Sequence, residues 1–426
     1  MRGDLHFAAR LWGNPKHMSY AASALRYKHG PEDLHILIAK TNRDNLTYDG
    51  IDLGGERVTD EVEKYIQYLE GKGARITKLS IVGYSLGGLI ARYVVGLLHS
   101  KGYLDRMEPR NFTTFATPHI GVRTPVAGVG SRIWNFLGSS TLSVSGQQLF
   151  ITDTFRDSGK PLLSLLASPD SVFVRALKSF HHRVLYANIV NDRSAPYYTT
   201  SISLSDPFKN LNDLNLNYLP AYTPNILDET DPLSVAPPQR RMPFLTRLLT
   251  SAQNFLSQVP FFTLLTFFMV IGVPVFLFNA LIQSFRSNRR IRLHQAGRSG
   301  IALGTYNLPF ITENTRSMTE DFLQPLNPTA DDDLVLRRER NGNILETRKE
   351  RNVNSINQIA GFPALTLSPE QFQMITSLDE IGFKKHRVHI HKVRHSHAAI
   401  VVRTGRKSFD EGMVIIRHWL DEEFRI

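Results

Sequence analysis

The segment from residue 78 to residue 95 constrains the fold of this chain more than any other. It reads KLSIVGYSLGGLIARYVV, an apolar run followed by a glycine-rich turn and then by a second apolar run with helical spacing. The pattern G-x-S-x-G between a strand and a helix is typical of a sharp turn that exposes its serine. Gly83 and Gly87 flank that serine and must be small for the turn to close. The segment therefore predicts Ser85 as a nucleophile and the backbone N–H of Leu86 as an oxyanion donor.

The rest of the chain alternates between strand and helix patterns. Short apolar runs predict strands, and apolar residues at helical spacing predict the helices between them. Such alternation is typical of βαβ units, so we expect an α/β fold with a mostly parallel sheet and helices on both faces. The segment 386–402 is expected to end in a strand. The predicted strands are 35–39, 78–83, 112–116 and 184–190, and the predicted helices are 60–69, 89–95, 162–180 and 409–420.

A long uncharged segment lies in the second half of the chain. Residues 259–282 carry no charge and would be long enough to cross a bilayer. Gly272 and Pro274 interrupt the segment, and basic residues lie on both sides of it. We therefore expect a hairpin or an interfacial helix with both flanks in the cytosol, with a buried core helix as the alternative.

The composition limits the classes of binding partner that are expected. The 426 residues carry a net charge of +11, which indicates an anionic partner, either nucleic acid or a phospholipid surface. No helix-turn-helix, RRM or zinc-finger signature is present, so nucleic-acid binding is not expected. The absence of cysteine excludes a disulfide scaffold, a zinc ribbon and a cysteine nucleophile.

Three regions follow from these patterns. Residues 1–205 are expected to form the hydrolase core with the nucleophile and the acid. Residues 206–300 are expected to hold an Asn- and Pro-rich linker, an amphipathic helix over 245–256 and the hydrophobic segment 259–282. Residues 301–426 are expected to contain a polar excursion and then the part that completes the core with the catalytic histidine.

A serine hydrolase on an α/β-hydrolase fold needs an acid and then a histidine after the serine in chain order. His397 is the leading base, and Asp192, which follows a predicted strand, is the leading acid. Asp153 and Asp170 are the alternative acids. A metal site among the histidines of this region is not expected, because they mostly alternate along an extended segment without an H-E-x-x-H motif. These histidines are His386, His389, His391, His395 and His397.

Six sequence blocks in order resemble the DUF676 serine esterases, fungal lipases of the α/β-hydrolase fold, and within them the branch that contains a lipid-droplet phospholipase. By position in that family, Ser85, Asp192 and His397 match the nucleophile, the acid and the base, and Leu11 matches the second oxyanion donor. The family usually has His-Gly where this chain has Ala9-Arg10. The blocks are LWGN at 11–14, TNRD at 41–44, DLGGER at 52–57, GYSLGG at 83–88, FATPH at 115–119 and NDR at 191–193.

The resemblance implies a lipid acyl-ester hydrolase that needs no cofactor. Its expected substrate is a glycerophospholipid or a neutral lipid, reached through residues 259–282 at the cytosolic face of a membrane. The expected location is the lipid droplet, the endoplasmic reticulum or both. Two alternatives stay open at this point. One is a membrane-anchored protein that keeps the fold without the chemistry, and the other is an acyltransferase or thioesterase that uses the same three residues.

Overall fold

A six-stranded parallel sheet forms the centre of the protein. The computed structural model describes residues 2–10, 15–42, 44–124, 143–209, 211, 214–235, 273–297, 365 and 367–426. Every neighbouring pair of strands in the sheet is parallel, and the strand order is β2-β1-β3-β4-β5-β8. These strands are β1 (Arg2–Arg10), β2 (Leu34–Ile38), β3 (Arg75–Tyr84), β4 (Glu108–Phe115), β5 (His182–Asn188) and β8 (Lys384–Val388).

Helices connect the strands, and a small antiparallel pair, β6 (Leu214–Leu216) and β7 (Leu233–Val235), lies outside the main sheet. A π-helical turn, Trp419–Glu423, follows the last helix. The described α-helices are α1 (Ser19–Lys28), α2 (Ile51–Gly71), α3 (Leu86–Ser100), α4 (Tyr103–Arg106), α5 (Ser143–Leu149), α6 (Leu162–Ala167), α7 (Val172–Ser179), α8 (Tyr197–Thr200), α9 (Val273–Gln295), α10 (Pro369–Asp379), α11 (Ser396–Ala399) and α12 (Asp410–His418).

The sheet has a hydrophobic core on each face because successive strand side chains point to opposite sides. In β5, Leu185 packs with one cluster and Tyr186 with the other. The larger cluster contains the buried residues of α2, α3, α6, α7 and α10, and the smaller one contains those of α1 and α12. The expected parallel α/β architecture with helices on both faces is confirmed, whereas the membrane-associating insertion stays a prediction.

The predicted elements differ from the observed ones in extent and, at one place, in type. Helix α2 begins nine residues before the predicted helix, at Ile51. The prediction of a strand at the end of residues 386–402 is wrong. The strand of this region, β8, ends at Val388, and the chain then forms a loop and the short helix α11. The apolar residues Ile400 and Val401 are buried against α12 rather than paired in the sheet, so burial and not strand pairing explains their hydrophobicity.

The uncharged segment 259–282 lies only partly within the described residues. Its last ten residues form the first part of α9, and Pro274 is the second residue of that helix, a position that proline tolerates. Residues 259–272 and the predicted amphipathic helix over 245–256 lie outside the described residues. Among the helices that the structure does describe, none is both long enough and apolar enough to cross a membrane.

Helix α12 approaches the short helix α11 very closely. A Cβ atom added to Gly412 of α12 would lie 1.9 Å from the carbonyl oxygen of Ala399 in α11. Gly412 therefore sets the position of α11, which contains His397. The Gly412→Ala substitution should force the two helices apart and lower the free energy of unfolding by about 1–3 kcal/mol, as overpacking does in other cores. Urea denaturation measures this loss.

The Gly405→Ala substitution is the matched control, because a Cβ atom at Gly405 would meet no atom within 4 Å. It should leave the free energy of unfolding unchanged within about 0.5 kcal/mol. Equal stability of the two variants would show that α11 and α12 are not closely packed in solution.

Candidate active site

Three predicted site residues lie at the carboxyl ends of three strands of the sheet. Ser85 follows β3, Asp192 follows β5 by four residues, and His397 lies in α11 after β8. Because all three strands are parallel, their carboxyl ends share one edge of the sheet, where open α/β folds bind their ligands. The fold thus brings together residues that are 107 and 205 positions apart in the chain.

Ser85 occupies a strained turn between β3 and α3. Its φ angle of 55° and ψ angle of −132° lie outside the regions that most non-glycine residues adopt. The Ser85 N–H donates to the Phe115 carbonyl at 3.0 Å, and this bond ties the turn to β4. A Cβ atom on Gly83 would lie 2.4 Å from Cα of Gly88, so the backbones before and after the serine approach too closely for a side chain there. The nearest atoms belong to Gly88, and the carbonyl oxygen of Gly87 follows at 3.0 Å.

A continuous chain of hydrogen bonds joins the three side chains. Nε2 of His397 is 2.9 Å from Oγ of Ser85, and Nδ1 of His397 is 2.8 Å from Oδ2 of Asp192. A carboxylate accepts at Nδ1, so the neutral imidazole carries its proton there and Nε2 accepts from the serine hydroxyl. The Asp192 side chain is almost completely buried and that of His397 is mostly buried. This geometry can transfer the serine proton to the histidine.

Four donors hold the Asp192 carboxylate. Oδ1 accepts from the backbone N–H groups of Ser194 at 3.0 Å and Ala195 at 2.8 Å. Oδ2 accepts from the Asn188 side-chain amide at 3.0 Å and from His397. Hydrogen bonds to a charged acceptor are stronger than those between neutral groups, so this arrangement fixes the direction in which the carboxylate faces the imidazole.

The alternative acids lie elsewhere. Oδ2 of Asp153 accepts from the N–H of Leu162 at 2.9 Å, where it caps the start of α6, and burial raises the pKa of Asp153. Asp170 is exposed, and its backbone carbonyl oxygen accepts a hydrogen bond from the Arg175 guanidinium at 2.7 Å. Neither side chain has a recorded contact with His397, so Asp192 is the carboxylate that the structure pairs with it.

Of the two expected oxyanion donors, Leu86 lies within the described residues and Leu11 does not. Leu86 is the first residue of α3, and N–H groups in the first turn of a helix have no acceptor within that helix. The positive end of the helix dipole adds to the attraction for an anion at this point. Arg10, one of the two residues at which this chain departs from the family pattern, is the last residue of β1 and pairs with Tyr84 of β3.

Two residues that support the site were missed by the sequence analysis. Asn188, the last residue of β5, donates to Asp192, and Tyr84, the residue before the serine, donates from its hydroxyl to the His397 carbonyl at 2.5 Å. The Tyr84 and His397 rings also contact each other, with centroids 5.2 Å apart. Tyr84 occupies a variable position of the G-x-S-x-G motif, which does not specify its residue type, and Asn188 lies outside the motif. Only the proximity of Asn188 to Asp192 in the chain could have suggested its role.

The described residues contain one group of three side chains that could hold a metal, His386, His418 and Glu423. It is separate from the serine, histidine and aspartate. In the sequence, His386 belongs to the run of alternating histidines, whereas His418 and Glu423 lie beyond that run.

A serine, a histidine and a buried carboxylate joined in this way at the carboxyl edge of a parallel sheet have the geometry of a serine-hydrolase triad on an α/β-hydrolase-type fold. Residues 9–205 match the model of the family "Putative serine esterase (DUF676)". The matched part of the chain contains both Ser85 and Asp192.

Three relatives from two yeasts match part of this chain. The "Putative lipase C4A8.10" of Schizosaccharomyces pombe is 34% identical over 136 residues, which are 31% of this chain and 17% of that protein. The "Putative lipase ROG1" of Saccharomyces cerevisiae is 31% identical over 174 residues, 40% of this chain and 24% of that protein. The "Putative lipase YDL109C" of the same yeast is 30% identical over 165 residues, which are 38% of this chain and 24% of that protein. The chain thus matches less than a quarter of each relative.

Removal of the Asn188 amide should impair turnover without preventing substrate binding. A hydrogen bond to a charged group contributes about 1.5–3 kcal/mol, so Asn188→Ala should lower kcat on a soluble nitrophenyl ester by about 10- to 100-fold. KM should change little, because Asn188 contacts Asp192 and lies in the buried interior.

Asn217→Ala is the matched control, since its amide also contacts an aspartate, Asp231 at 3.2 Å, but on the exposed surface. It should retain the kcat of the unmodified protein. An unchanged kcat in Asn188→Ala would mean that the two backbone donors alone are sufficient to orient Asp192.

Proposed function

We propose that this protein is a serine hydrolase that cleaves acyl esters of lipids. The observation that carries the proposal is the hydrogen-bonded chain from Ser85 through His397 to Asp192. The match of residues 9–205 to a serine esterase family model and the similarity to proteins named as lipases support the hydrolase class. The lipid substrate, a glycerophospholipid or a neutral lipid, is part of the proposal.

The proposed reaction proceeds in two acyl-transfer steps. Oγ of Ser85 attacks the ester carbonyl while Nε2 of His397 takes the serine proton, and Asp192 stabilises the imidazolium that forms. His397 then gives the proton to the departing alcohol. Water, activated by the same nitrogen, releases the acid from the acyl-serine. The N–H of Leu86 stabilises the oxyanion, and by family position the N–H of Leu11 is the second donor.

The intact hydrogen-bonded chain favours an enzyme over a protein that has kept only the fold. A protein without selection for chemistry would have no reason to keep Ser85 in a strained conformation, because such strain costs about 1–3 kcal/mol. An acyltransferase or thioesterase could use the same three residues, and product analysis with and without an alcohol or thiol acceptor distinguishes these reactions from hydrolysis.

Replacement of the nucleophile should abolish both labelling and turnover. The full chain should react with a fluorophosphonate probe and release fatty acid from mixed phospholipid and triacylglycerol vesicles. Ser85→Ala should do neither. Asp192→Asn should lose about 10⁴-fold in kcat, as expected when the histidine adopts the wrong tautomer.

Asp170→Asn is the matched control for the acid and should keep full activity, since Asp170 lies on the exposed surface. Labelling of the Ser85→Ala protein at the same rate would place the nucleophile elsewhere. Labelling without fatty-acid release from any lipid, together with hydrolysis of short soluble esters, would contradict the lipid substrate and leave the hydrolase mechanism intact.

The outer face of α9 supports action at a lipid surface. Val275, Phe278, Leu281 and Phe285 are 54–69% exposed, although they are large and apolar. At about 100° per residue, Phe278, Leu281 and Phe285 lie on one side of the helix. Exposed apolar patches of this kind mark sites of interaction with proteins or membranes.

The opposite face of α9 is fixed to the hydrolase core by buried polar groups. Asp49 accepts from Oγ of Ser287 at 2.7 Å and from both Nε and Nη2 of Arg290. Nε2 of His294 lies 2.7 Å from Oε2 of Glu56 in α2. The apolar side is consequently held away from the core, where it can enter a lipid layer.

The positive charge on α9 favours binding to an anionic phospholipid surface. Arg286, Arg289 and Arg292 are exposed near the apolar side chains of α9, and basic residues beside an apolar helix face are typical of helices that lie in the membrane interface. The uncharged residues 259–272 precede this helix directly.

The contact between Ser85 and His397 limits the path of the chain between them. Because these two residues lie in contact, the chain must return to the side of the membrane on which it started. We propose a hairpin or interfacial segment over 259–282 at the cytosolic face of a membrane or on a lipid droplet.

Loss of the aromatic side chains on α9 should weaken binding to lipid. Burial of a phenylalanine contributes about 1.5–3 kcal/mol, so Phe278→Ser together with Phe285→Ser should reduce binding to vesicles of phosphatidylcholine and phosphatidylserine by at least tenfold. Vesicle flotation measures this binding, and hydrolysis of a soluble short-chain ester should remain unchanged.

Phe372→Ser is the matched control, because Phe372 is 54% exposed on a different helix, α10, and should not affect flotation. On microsomes, tags placed after Val235 and at position 300 should both be open to added protease. Protection of one tag, or equal flotation of all variants, would contradict the proposed attachment through α9 and 259–282.

A further inference from the structure

Three side chains that are capable of binding a metal converge at one buried point between β8 and the end of α12. His386 is in the middle of β8, His418 is the last residue of α12, and Glu423 ends the π-helical turn that follows. One ligand atom from each residue lies within 4.8 Å of the others, and all three residues are buried. The nucleophile and its partners lie beyond the carboxyl end of the strands, so this cluster is a separate site.

The Nδ1 atom of each imidazole already lies close to an oxygen. Nδ1 of His418 is 2.8 Å from the Tyr186 hydroxyl, and Nδ1 of His386 is 3.1 Å from Oε1 of Glu229. The Nε2 atoms are therefore the available ligand atoms, and Nε2 of His386 lies 3.1 Å from Oε1 of Glu423. Histidines that bind metals almost always use one nitrogen for the metal and direct the other to a carboxylate, a backbone carbonyl or water.

His386 is unusual for a buried histidine. Its side chain is completely buried, yet neither ring nitrogen makes a hydrogen bond of acceptable geometry with the described residues. Its ring nitrogens instead lie 3.1 Å from two carboxylate oxygens, those of Glu229 and Glu423, in contacts of poor hydrogen-bond geometry. A ligand between His386 and Glu423 would satisfy the ring.

The charges around the cluster permit a divalent cation. Lys384 lies 2.6 Å from Oε1 of Glu423 and 3.2 Å from Oε1 of Glu229, so one ammonium faces two carboxylates. Among the described residues, Lys384 and His386 contact Glu423 through Oε1, so Oε2 is the oxygen that would bind a metal.

We propose that His386, His418 and Glu423 bind one zinc ion, with water in the fourth position. Two imidazole nitrogens and a carboxylate oxygen are a ligand set that suits zinc, which prefers four ligands in tetrahedral arrangement. Glu229 and Tyr186 orient the two histidines from the second layer. The ion links β8 to the C-terminal turn and so steadies the strand that leads into the loop of His397.

Zinc content and thermal stability test this site without reference to activity. The full chain, stripped with EDTA and dialysed against micromolar Zn²⁺, should retain one equivalent by mass spectrometry, and its Tm should rise with zinc concentration. The Co²⁺-loaded protein should show the visible absorption of a tetrahedral site. His418→Gln and Glu423→Gln should lose stoichiometric zinc binding and the rise in Tm.

Glu229→Gln serves as a milder variant because Glu229 is partly exposed and contacts Nδ1 of His386 and the Lys384 ammonium rather than the proposed metal position. It should bind zinc about 10- to 100-fold more weakly, the range seen when second-layer partners are removed. His395→Gln, an exposed histidine in the same region, is the matched control and should bind zinc as the unmodified chain does.

Absence of bound zinc in the unmodified chain, with no cobalt absorption, would show that the cluster is an ion-pair network only. Equal zinc retention in His418→Gln, Glu423→Gln and the unmodified chain would assign the metal to the exposed histidines instead. Either result overturns the proposed site and leaves the hydrolase proposal unaffected, since the triad does not include these residues.

Discussion

The pairing of β5 with β8 is the contact on which the candidate active site depends. These strands are about 200 residues apart in the chain, yet they run in parallel with Asn188 opposite Val388. Beyond the sheet, the N–H of Ile189 donates to the Val388 carbonyl at 2.9 Å, and Oγ of Ser396 donates to the Val190 carbonyl at 2.8 Å. These bonds join the loop of the acid to the loop of the base. Without them the imidazole would have no fixed position between Ser85 and Asp192.

Buried charges have a second structural role at the base of α9. The Asp49 side chain is fully buried and pairs with both Arg57 and Arg290, so one carboxylate joins α2 to a helix more than 200 residues later. The pKa of Glu56 is raised by burial and lowered in part by His294 and Arg156. A buried ion pair contributes little net stability, but loss of one partner is costly because it leaves a charge uncompensated. These contacts are therefore best understood as fixing where α9 docks and which side faces outward.

Much of the fold was predictable because the local patterns were consistent with it. The serine motif required a strand before it and a helix after it, and β3 and α3 are there. The end of the 386–402 segment was predicted wrongly, because a short apolar run is compatible with either a strand or a buried turn, and only the packing of Ile400 and Val401 against α12 decides between them. Asn188 and Tyr84 were missed for a related reason. Each acts through a single hydrogen bond whose partner is set by the tertiary fold.

The sequence alone determined the class of fold, the strained turn that presents Ser85, and the residue types that could complete a triad, because these follow from patterns within short stretches of chain. It left three aspartates as candidate acids. Only the tertiary structure distinguished Asp192 from Asp153 and Asp170, since the choice depends on which carboxylate reaches His397. The tertiary structure also brought His386 to His418 and Glu423, and turned an apolar face of α9 outward. These arrangements depend on contacts between distant segments, which no local pattern contains.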